Sequence, residues 1–297
     1  DLRGASGLAG GNERMSQSFQ TALTHAGQRL SGAGIEEFRR EARILLAFVV
    51  GLDPLQVSMR VEETLNVEQS TKLEAALRSR VARVPMSHIL GYRDFYEHRF
   101  IVTPDVLDPR PETEELVAHA LSAPFENVLD LGTGSGCIIL SLLAENSSAR
   151  GVAVEQSAKA LEVARRNAEN LRLTDRLRFC RSDWCQELPT EQFDLIVSNP
   201  PYIHPAVMKG LSPEVHHEPI SALTDNIDGL SHYATIAHQA HGFLAPQGRL
   251  LFEIGYDQGV AVAEILSKEG YGDIAILEDF DHRPRVVSCR ARAEKME

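Results

Sequence analysis

A chain of 297 residues with 24% charged and 43% hydrophobic residues has the composition of a folded globular protein, and it is long enough for two cores. Its net charge of −12 argues against adhesion to bare nucleic acid, where Lys and Arg must neutralise phosphates. No apolar stretch approaches the roughly 20 residues that span a bilayer, and no basic start with an apolar core precedes Met15, so a cytoplasmic protein without membrane association is expected.

Residues 1–14 are glycine-rich and aperiodic and read as an unstructured leader. Over 15–92 apolar residues recur at helical spacing (Phe19, Leu23, Ala26, Leu30; Phe38, Ala42, Leu45, Leu46, Val49; Leu73, Ala76, Leu77, Val81), which predicts a small helical bundle with a partner-docking role. Ile44 to Val50 reads as a buried helix face. Asp53-Pro54 reads as a helix start, and Thr71 with Glu74 as a capping box. Arg78, Arg80 and Arg83 form the nearest approach to a basic cluster and read as a solvated helix end or a partner contact. Residues 93–107, rich in aromatic and β-branched positions, read as a β-hairpin linker.

From 108 to 297 strands and helices alternate: strand Asn127–Leu131, helix Cys137–Ala144, strand Gly151–Glu155, helix Ala158–Leu171, strands Leu177–Arg181 and Phe193–Ser198, a helix around Tyr233–Leu244, strand Arg249–Ile254, and short β runs Ile274–Leu277 and Arg285–Cys289. Such alternation predicts an α/β domain, a parallel sheet covered by helices on both faces.

Asp130-Leu-Gly-Thr-Gly-Ser-Gly136 sits where a buried strand gives way to a helix, and Gly132, Gly134 and Gly136 let the backbone approach a ligand, with Thr133 and Ser135 between them. The sixth position of a dinucleotide fingerprint counted from Gly132 is Cys137, which weakens that reading. Glu155, ending the next strand, is placed to accept the hydroxyls of an adenosine ribose. Asp183 could accept from an adenine amino group and Trp184 lie on the adenine face, with core packing the rival role for this sole tryptophan. Asp130 would orient the glycine loop or receive a methionine ammonium group. Together these residues describe an S-adenosylmethionine pocket, whose product would be S-adenosylhomocysteine.

Asn199-Pro200-Pro201-Tyr202 follows strand Phe193–Ser198 at the same sheet edge. A planar amide or amine carries two N–H donors, which the Asn199 side-chain oxygen and the Pro200 carbonyl could accept, with Tyr202 stacked on the acceptor. Methyl transfer from a sulfonium then needs placement and exclusion of water more than a strong base. The motif does not separate adenine from glutamine. Cys137, Cys180, Cys185 and Cys289 form no CxxC pair, and no histidine spacing fits a ligand set, so reduced thiols and no metal are expected.

The chain resembles the peptide chain release factor glutamine methyltransferases, the HemK-type protein-glutamine N-methyltransferases. The likeness rests on Pro85-Met-Ser-His-Ile-Leu-Gly91, Phe95 with Phe100, Pro109-Arg-Pro-Glu-Thr-Glu114, Asp130 to Gly136, Ser182-Asp-Trp184, Asn199 to Tyr202, Glu218-Pro219 and Asp228-Gly229. The resemblance implies a helical substrate-docking domain, a class I methyltransferase domain with a Rossmann-like, mostly parallel seven-stranded sheet, and as substrate the glutamine of a Gly-Gly-Gln motif in release factors. By position it implies cofactor contacts for Gly132 to Gly136, Glu155, Trp184 and Asn199. Asn199, Pro200 and Tyr202, with Pro201, would hold the glutamine amide, and Phe100 would wall its pocket. Asp108 departs from the apolar residue usual before Pro-Arg-Pro. An adenine-N6 or ribosomal RNA methyltransferase is the alternative function, and a non-catalytic adenosylmethionine-binding scaffold the second.

Overall fold

The computed structural model describes residues 17–291, so the predicted leader lies outside the described residues. The chain forms two compact units that divide between Leu90 and Gly91.

The first unit is helical: α1 (Phe19–Gly32), α2 (Phe38–Val50), α3 (Pro54–Met59), α4 (Val67–Val81) and α5 (Met86–Leu90). Their buried faces meet in one core around Leu30, Leu45, Leu46, Val57 and Leu77. The Asp53 start is present, its side chain accepting from Leu55 N at 2.7 Å. The capping box of α4 is not Thr71 with Glu74. It is Asn66 with Gln69, because Asn66 is extended (φ −77°, ψ 174°) and carries the acceptor, whereas Thr71 lies one turn inside and donates to Val67 O at 2.8 Å. The arginine reading is also corrected. Arg80 is buried and binds Glu41 twice, at 2.6 and 3.2 Å, while Arg83 donates to the carbonyls of Ala33 and Gly34, so only Arg78 is exposed. The face from Ile44 to Val50 is not buried throughout, since Phe48 is 45% exposed.

The second unit opens with the hairpin β1 (Tyr92–Phe95) and β2 (His98–Ile101), which is fastened to it when Ile101 N donates to Asn167 Oδ1 at 2.7 Å. Seven further strands form one sheet: β3 (Asn127–Leu131), β4 (Arg150–Glu155), β5 (Leu177–Arg181), β6 (Phe193–Ser198), β7 (Leu244–Glu253), β8 (Gly272–Glu278) and β9 (Pro284–Arg290). Their order is β5-β4-β3-β6-β7-β9-β8; β3 to β7 run parallel, and β9 is antiparallel to both neighbours. This is the mostly parallel seven-stranded sheet predicted.

Helices cover both faces. On one, α6 (Glu114–Leu121) and α7 (Cys137–Glu145) pack Leu116, Val117 and Ile139 against Val128, Leu195 and Val197. On the other, α9 (Ser231–Ala240) and α10 (Gly259–Lys268) pack Tyr233, Ile236 and Val262 against Leu129, Ile196 and Leu250. Helix α8 (Ala158–Asn170) sets Ala160 and Val163 against Val102 and Val106. Several predicted boundaries shift by one or two residues and two by more: the helix expected to reach Leu244 stops at Ala240, and the strand expected from Arg249 starts at Leu244. Phe193 pairs with Leu244, so β7 already runs through Ala245-Pro-Gln-Gly248, with a register shift between Phe193 and Leu195. Among the described residues no helix is long and apolar enough to cross a membrane.

Candidate active site

The sheet order changes direction at β3, which has β4 on one side and β6 on the other. Ligands of open α/β sheets bind at the carboxyl ends of strands flanking such a point. There Ser198 donates its hydroxyl to Leu131 O at 2.6 Å, tying the exit of β6 to the end of β3.

The loop after β3 is held by backbone. Gly132 N and Thr133 N both donate to Val154 O, at 3.0 and 2.9 Å. Gly132, Gly134 and Gly136 have φ of 78°, 55° and 82°, a left-handed region that favours glycine. A Cβ on Gly136 would stand 3.0 Å from Leu140 Cδ1 and 3.3 Å from Ala164 Cβ, so this glycine serves packing between α7 and α8. Asp130 is fully buried beneath the loop and accepts from Thr133 Oγ1 at 2.6 Å, while its Oδ1 has no hydrogen-bond partner among the described residues. Burial pushes its carboxyl up to about 7, helped by the charge of Glu155 and opposed by the Thr133 bond.

A carboxyl with a raised pKa binds more protons folded than unfolded between its two values, so stability falls as pH rises through that window. Asp130→Asn is therefore expected to remove a loss of stability between about pH 4 and 7, the span from the ordinary value to the folded one. Denaturant titrations at pH 5 and pH 8 measure this. An equal pH dependence in wild type and variant would show that Asp130 is not the group.

Glu155 is half-buried and clamps the same loop, Oε2 accepting from Gly134 N at 3.0 Å and Oε1 from Ser157 N at 2.9 Å. Trp184 adopts a left-handed φ of 51° that carries its indole over Gly132, where an added Cβ would lie 3.3 Å from the ring. The His232 imidazole meets the indole edge-on, centroids 5.1 Å apart. Asp183 accepts from Gln186 Nε2 at 3.2 Å.

Gly132, Gly134, Glu155, Asp183, Trp184, Asn199 and Pro201 line one cleft of about 340 Å³. Asp130, Thr133, Ser135 and Gly136 lie behind it, buried. Pro200 is buried as well, and Tyr202 packs its ring partly into the core under α9. Phe100 is corrected. It is fully buried in β2, packed edge-on against Phe95 at 6.0 Å, and the cleft wall nearest it in sequence begins at Pro104 and Asp105.

Asn199 Nδ2 donates to Thr113 Oγ1 at 3.5 Å. The Tyr202 hydroxyl points to Glu253 Oε1 at 3.4 Å, and its pKa is driven far up by burial and by that carboxylate. Gln258 Nε2 donates to both Tyr202 O and Gly229 O at 3.1 Å, so the motif backbone is held from the β7–α10 turn. Asp108 is buried within 3.7 Å of Arg93 and Arg110, and Arg110 also binds Glu218, the residue before Pro219 on the cleft rim. The unusual acid is thus part of an ion-pair cluster that joins the Pro-Arg-Pro loop to the segment beyond Tyr202.

Sequence reasoning missed Glu253, Thr113 and His232. Glu253 left one signal, a lone acid within the apolar run Leu250-Leu-Phe-Glu-Ile254. All four cysteines are free, and among the described residues no group of His, Cys, Asp and Glu could hold a metal ion.

Comparison with known proteins matches residues 21–91 to the PrmC N-terminal domain and residues 105–223 to the methyltransferase small domain. The release factor glutamine methyltransferase of Cereibacter sphaeroides is 48% identical over 92% of this chain and 98% of its own length, and that of Caulobacter vibrioides 39% identical over 92% and 96%. A bifunctional methyltransferase of Rickettsia felis is 35% identical over 92% of this chain and 58% of itself. Among solved structures, the hMettl16 catalytic domain in complex with a MAT2A 3'UTR hairpin has a TM-score of 0.56 at 15% identity, covering 84% of this chain and 92% of that one. A methyltransferase from Pyrococcus furiosus has a TM-score of 0.51 at 15% identity, covering 77% and 100%. These two structures share the fold of the sheet domain.

Proposed function

The chain belongs to the family of release factor glutamine methyltransferases, and from that premise we propose that it transfers a methyl group from S-adenosylmethionine to the side-chain amide nitrogen of the glutamine in the Gly-Gly-Gln motif of peptide chain release factors. The observation that carries the reading is Asn199-Pro-Pro-Tyr202 beside the glycine loop at one sheet edge.

The residues present suit the cofactor. The glycine loop offers backbone without Cβ atoms, Asp130 keeps an oxygen with no partner among the described residues beneath it, and Glu155, Asp183 and the Trp184 indole are among the side chains that bound the cleft of about 340 Å³. Glu155 would accept the ribose hydroxyls and Asp183 the adenine amino group, with Trp184 against the adenine. Asp130, buried under Thr133, would brace the loop. When bound, adenosylmethionine supplies a methyl group on a sulfonium, open to in-line displacement.

The chain's task is then to place the acceptor. Asn199 Oδ1 and the Pro200 carbonyl would each accept one N–H of the glutamine amide, fixing its plane and drawing electron density toward nitrogen. Proline at 200 and 201 leaves those carbonyls without competing amides. The helical unit would dock the release factor, and S-adenosylhomocysteine would leave as product.

The test is transfer of labelled methyl to a purified release factor, compared with its Gln→Ala version and with bare RNA and DNA. Label on the native factor alone is expected, and label confined to nucleic acid would overturn the substrate. Glu155→Ala is expected to weaken cofactor binding about 10- to 100-fold by calorimetry, matching roughly 1.5–3 kcal/mol for a hydrogen bond to a charged group. An unchanged affinity would remove Glu155 from the site.

A further inference from the structure

Trp184, set above against the adenine, stands in a conformation that its residue type does not favour. Its φ of 51° lies in the left-handed region, which a bulky side chain adopts only where its surroundings over-determine it. The chain around it is closed by local bonds. Ser182 Oγ donates to Glu187 Oε2 at 2.6 Å, Asp183 N donates to the same oxygen at 3.2 Å, and Glu187 N donates to Ser182 Oγ at 3.1 Å. These bonds shape the turn, and none of them touches the indole.

Helix α9 reaches both the ring and the peptide after it. Near the start of this helix His232 lines the cleft and sets its imidazole edge-on to the indole, centroids 5.1 Å apart and planes at 61°. Two turns further on, Gln239 Oε1 accepts from Cys185 N at 2.9 Å. A spacing of about two turns brings both side chains out on one face of α9. The helix itself is anchored: Tyr233, Ile236, Ala237 and Ala240 are buried against the sheet, and Ser231 is tied to Asp225 through its amide and its hydroxyl, at 3.1 and 2.6 Å. Burial lowers the pKa of His232, while the charges of Asp225 and Asp183 work against that lowering without reversing it, so the ring beside the indole is uncharged at neutral pH.

We propose that His232 is a positioning residue for the cofactor: with Gln239 it clamps Trp184 from α9 and holds the indole over Gly132 in the attitude that receives the adenine. This rests on the cofactor reading above. An indole free to change rotamer must be ordered when the ligand arrives, at the expense of affinity, and an indole already held avoids that loss. His232 acts through Trp184, so its effect vanishes where the indole is gone.

The experiment is calorimetric binding of S-adenosylhomocysteine to the full chain, with wild type, His232→Ala, His232→Phe, Trp184→Ala and the double variant His232→Ala/Trp184→Ala. Beside it runs acrylamide quenching of the unliganded proteins that keep Trp184, the sole tryptophan. His232→Ala is expected to weaken binding about 3- to 10-fold, within what an edge-on aromatic pair contributes. Its Trp184 emission should be more readily quenched, and its melting temperature should stay near wild type. His232→Phe should restore both affinity and shielding, since an uncharged ring is what the clamp requires. Added to Trp184→Ala, His232→Ala should weaken binding no further. Unchanged affinity or unchanged quenching in His232→Ala, a phenylalanine as weak as the alanine, or a second full loss in the double variant would overturn the inference while leaving Trp184 in the site. Binding that Trp184→Ala leaves untouched would overturn the placement of the adenine against the indole, and this inference with it. Should His232→Ala fail to fold, His232→Gln, of similar length and without a ring, takes its place under the same outcomes.

Discussion

Asn199→Ala should lower methyl transfer by about 10³-fold, the upper range for deleting one preorganised hydrogen-bonding group from a reaction site, while cofactor binding persists. The glycine loop, Glu155, Asp183 and Trp184 all lie upstream of Asn199 and bound the cleft without it. What the alanine removes is the acceptor that fixes the rotation of the incoming amide about its own axis. An amide held by the Pro200 carbonyl alone keeps that freedom, and few of its orientations point the nitrogen at the sulfonium methyl. Single-turnover rates with labelled cofactor, beside calorimetric affinity, separate the two effects. Turnover within tenfold of wild type would remove Asn199 from the acceptor site.

The second large effect is expected at Gly229, which makes no contact with the cleft in the proposed mechanism. A Cβ there would stand 2.4 Å from Tyr202 O and 3.2 Å from Gln258 Nε2, at a φ of 75°. Its amide also donates to Asp225 Oδ1 at 2.9 Å, within a turn where the Asp225 carboxylate accepts from Ile227 N and Ser231 as well. Neither the backbone of Tyr202 nor this turn can retreat without breaking those bonds. Gly229→Ala should therefore displace the motif, with about a 10²-fold loss of kcat/KM and a cost near 1–3 kcal/mol from forced overpacking, in addition to the backbone penalty. Gly34→Ala is the control, having a φ of 72° but open space around the added carbon. A Gly229→Ala variant as stable and active as Gly34→Ala would show that the contact is harmless.

What could be read from the residues is what neighbouring residues encode together. Strand Leu177–Arg181, at the sheet edge, and the mostly buried Phe193–Ser198 are short runs closed by Ser-Asp and Asn-Pro, and both have the predicted ends. The glycine loop and Asn199–Tyr202 are contiguous motifs and meet because β3 pairs with β6. Helix α6 was hidden by the preceding Pro-Arg-Pro, and α10 by its glycine and β-branched start, Gly259-Val-Ala-Val. Thr113 and Glu253 are unremarkable where they stand in the chain. They gain meaning only when a helix start and the end of β7 close on the β6 exit. Phe100 was placed in the pocket wall only by position, from the family resemblance, whereas the hairpin register turns it into the core beside Phe95.

The pairing of β3 with β6 also governs when the protein acquires its site. Leu131 and Ser198 are bonded across a separation of 67 residues, so neither the glycine loop nor Asn199 has its partner until the chain between them has been gathered in. Contacts of such span form slowly because loop closure precedes their reward. His232, the last residue in the chain to line the cleft, lies further still along it, and a ribosome-bound chain that has not reached it holds an unfinished pocket. Cofactor affinity therefore arises late and all at once, which makes ligand capture during refolding a clock for the closing of the sheet.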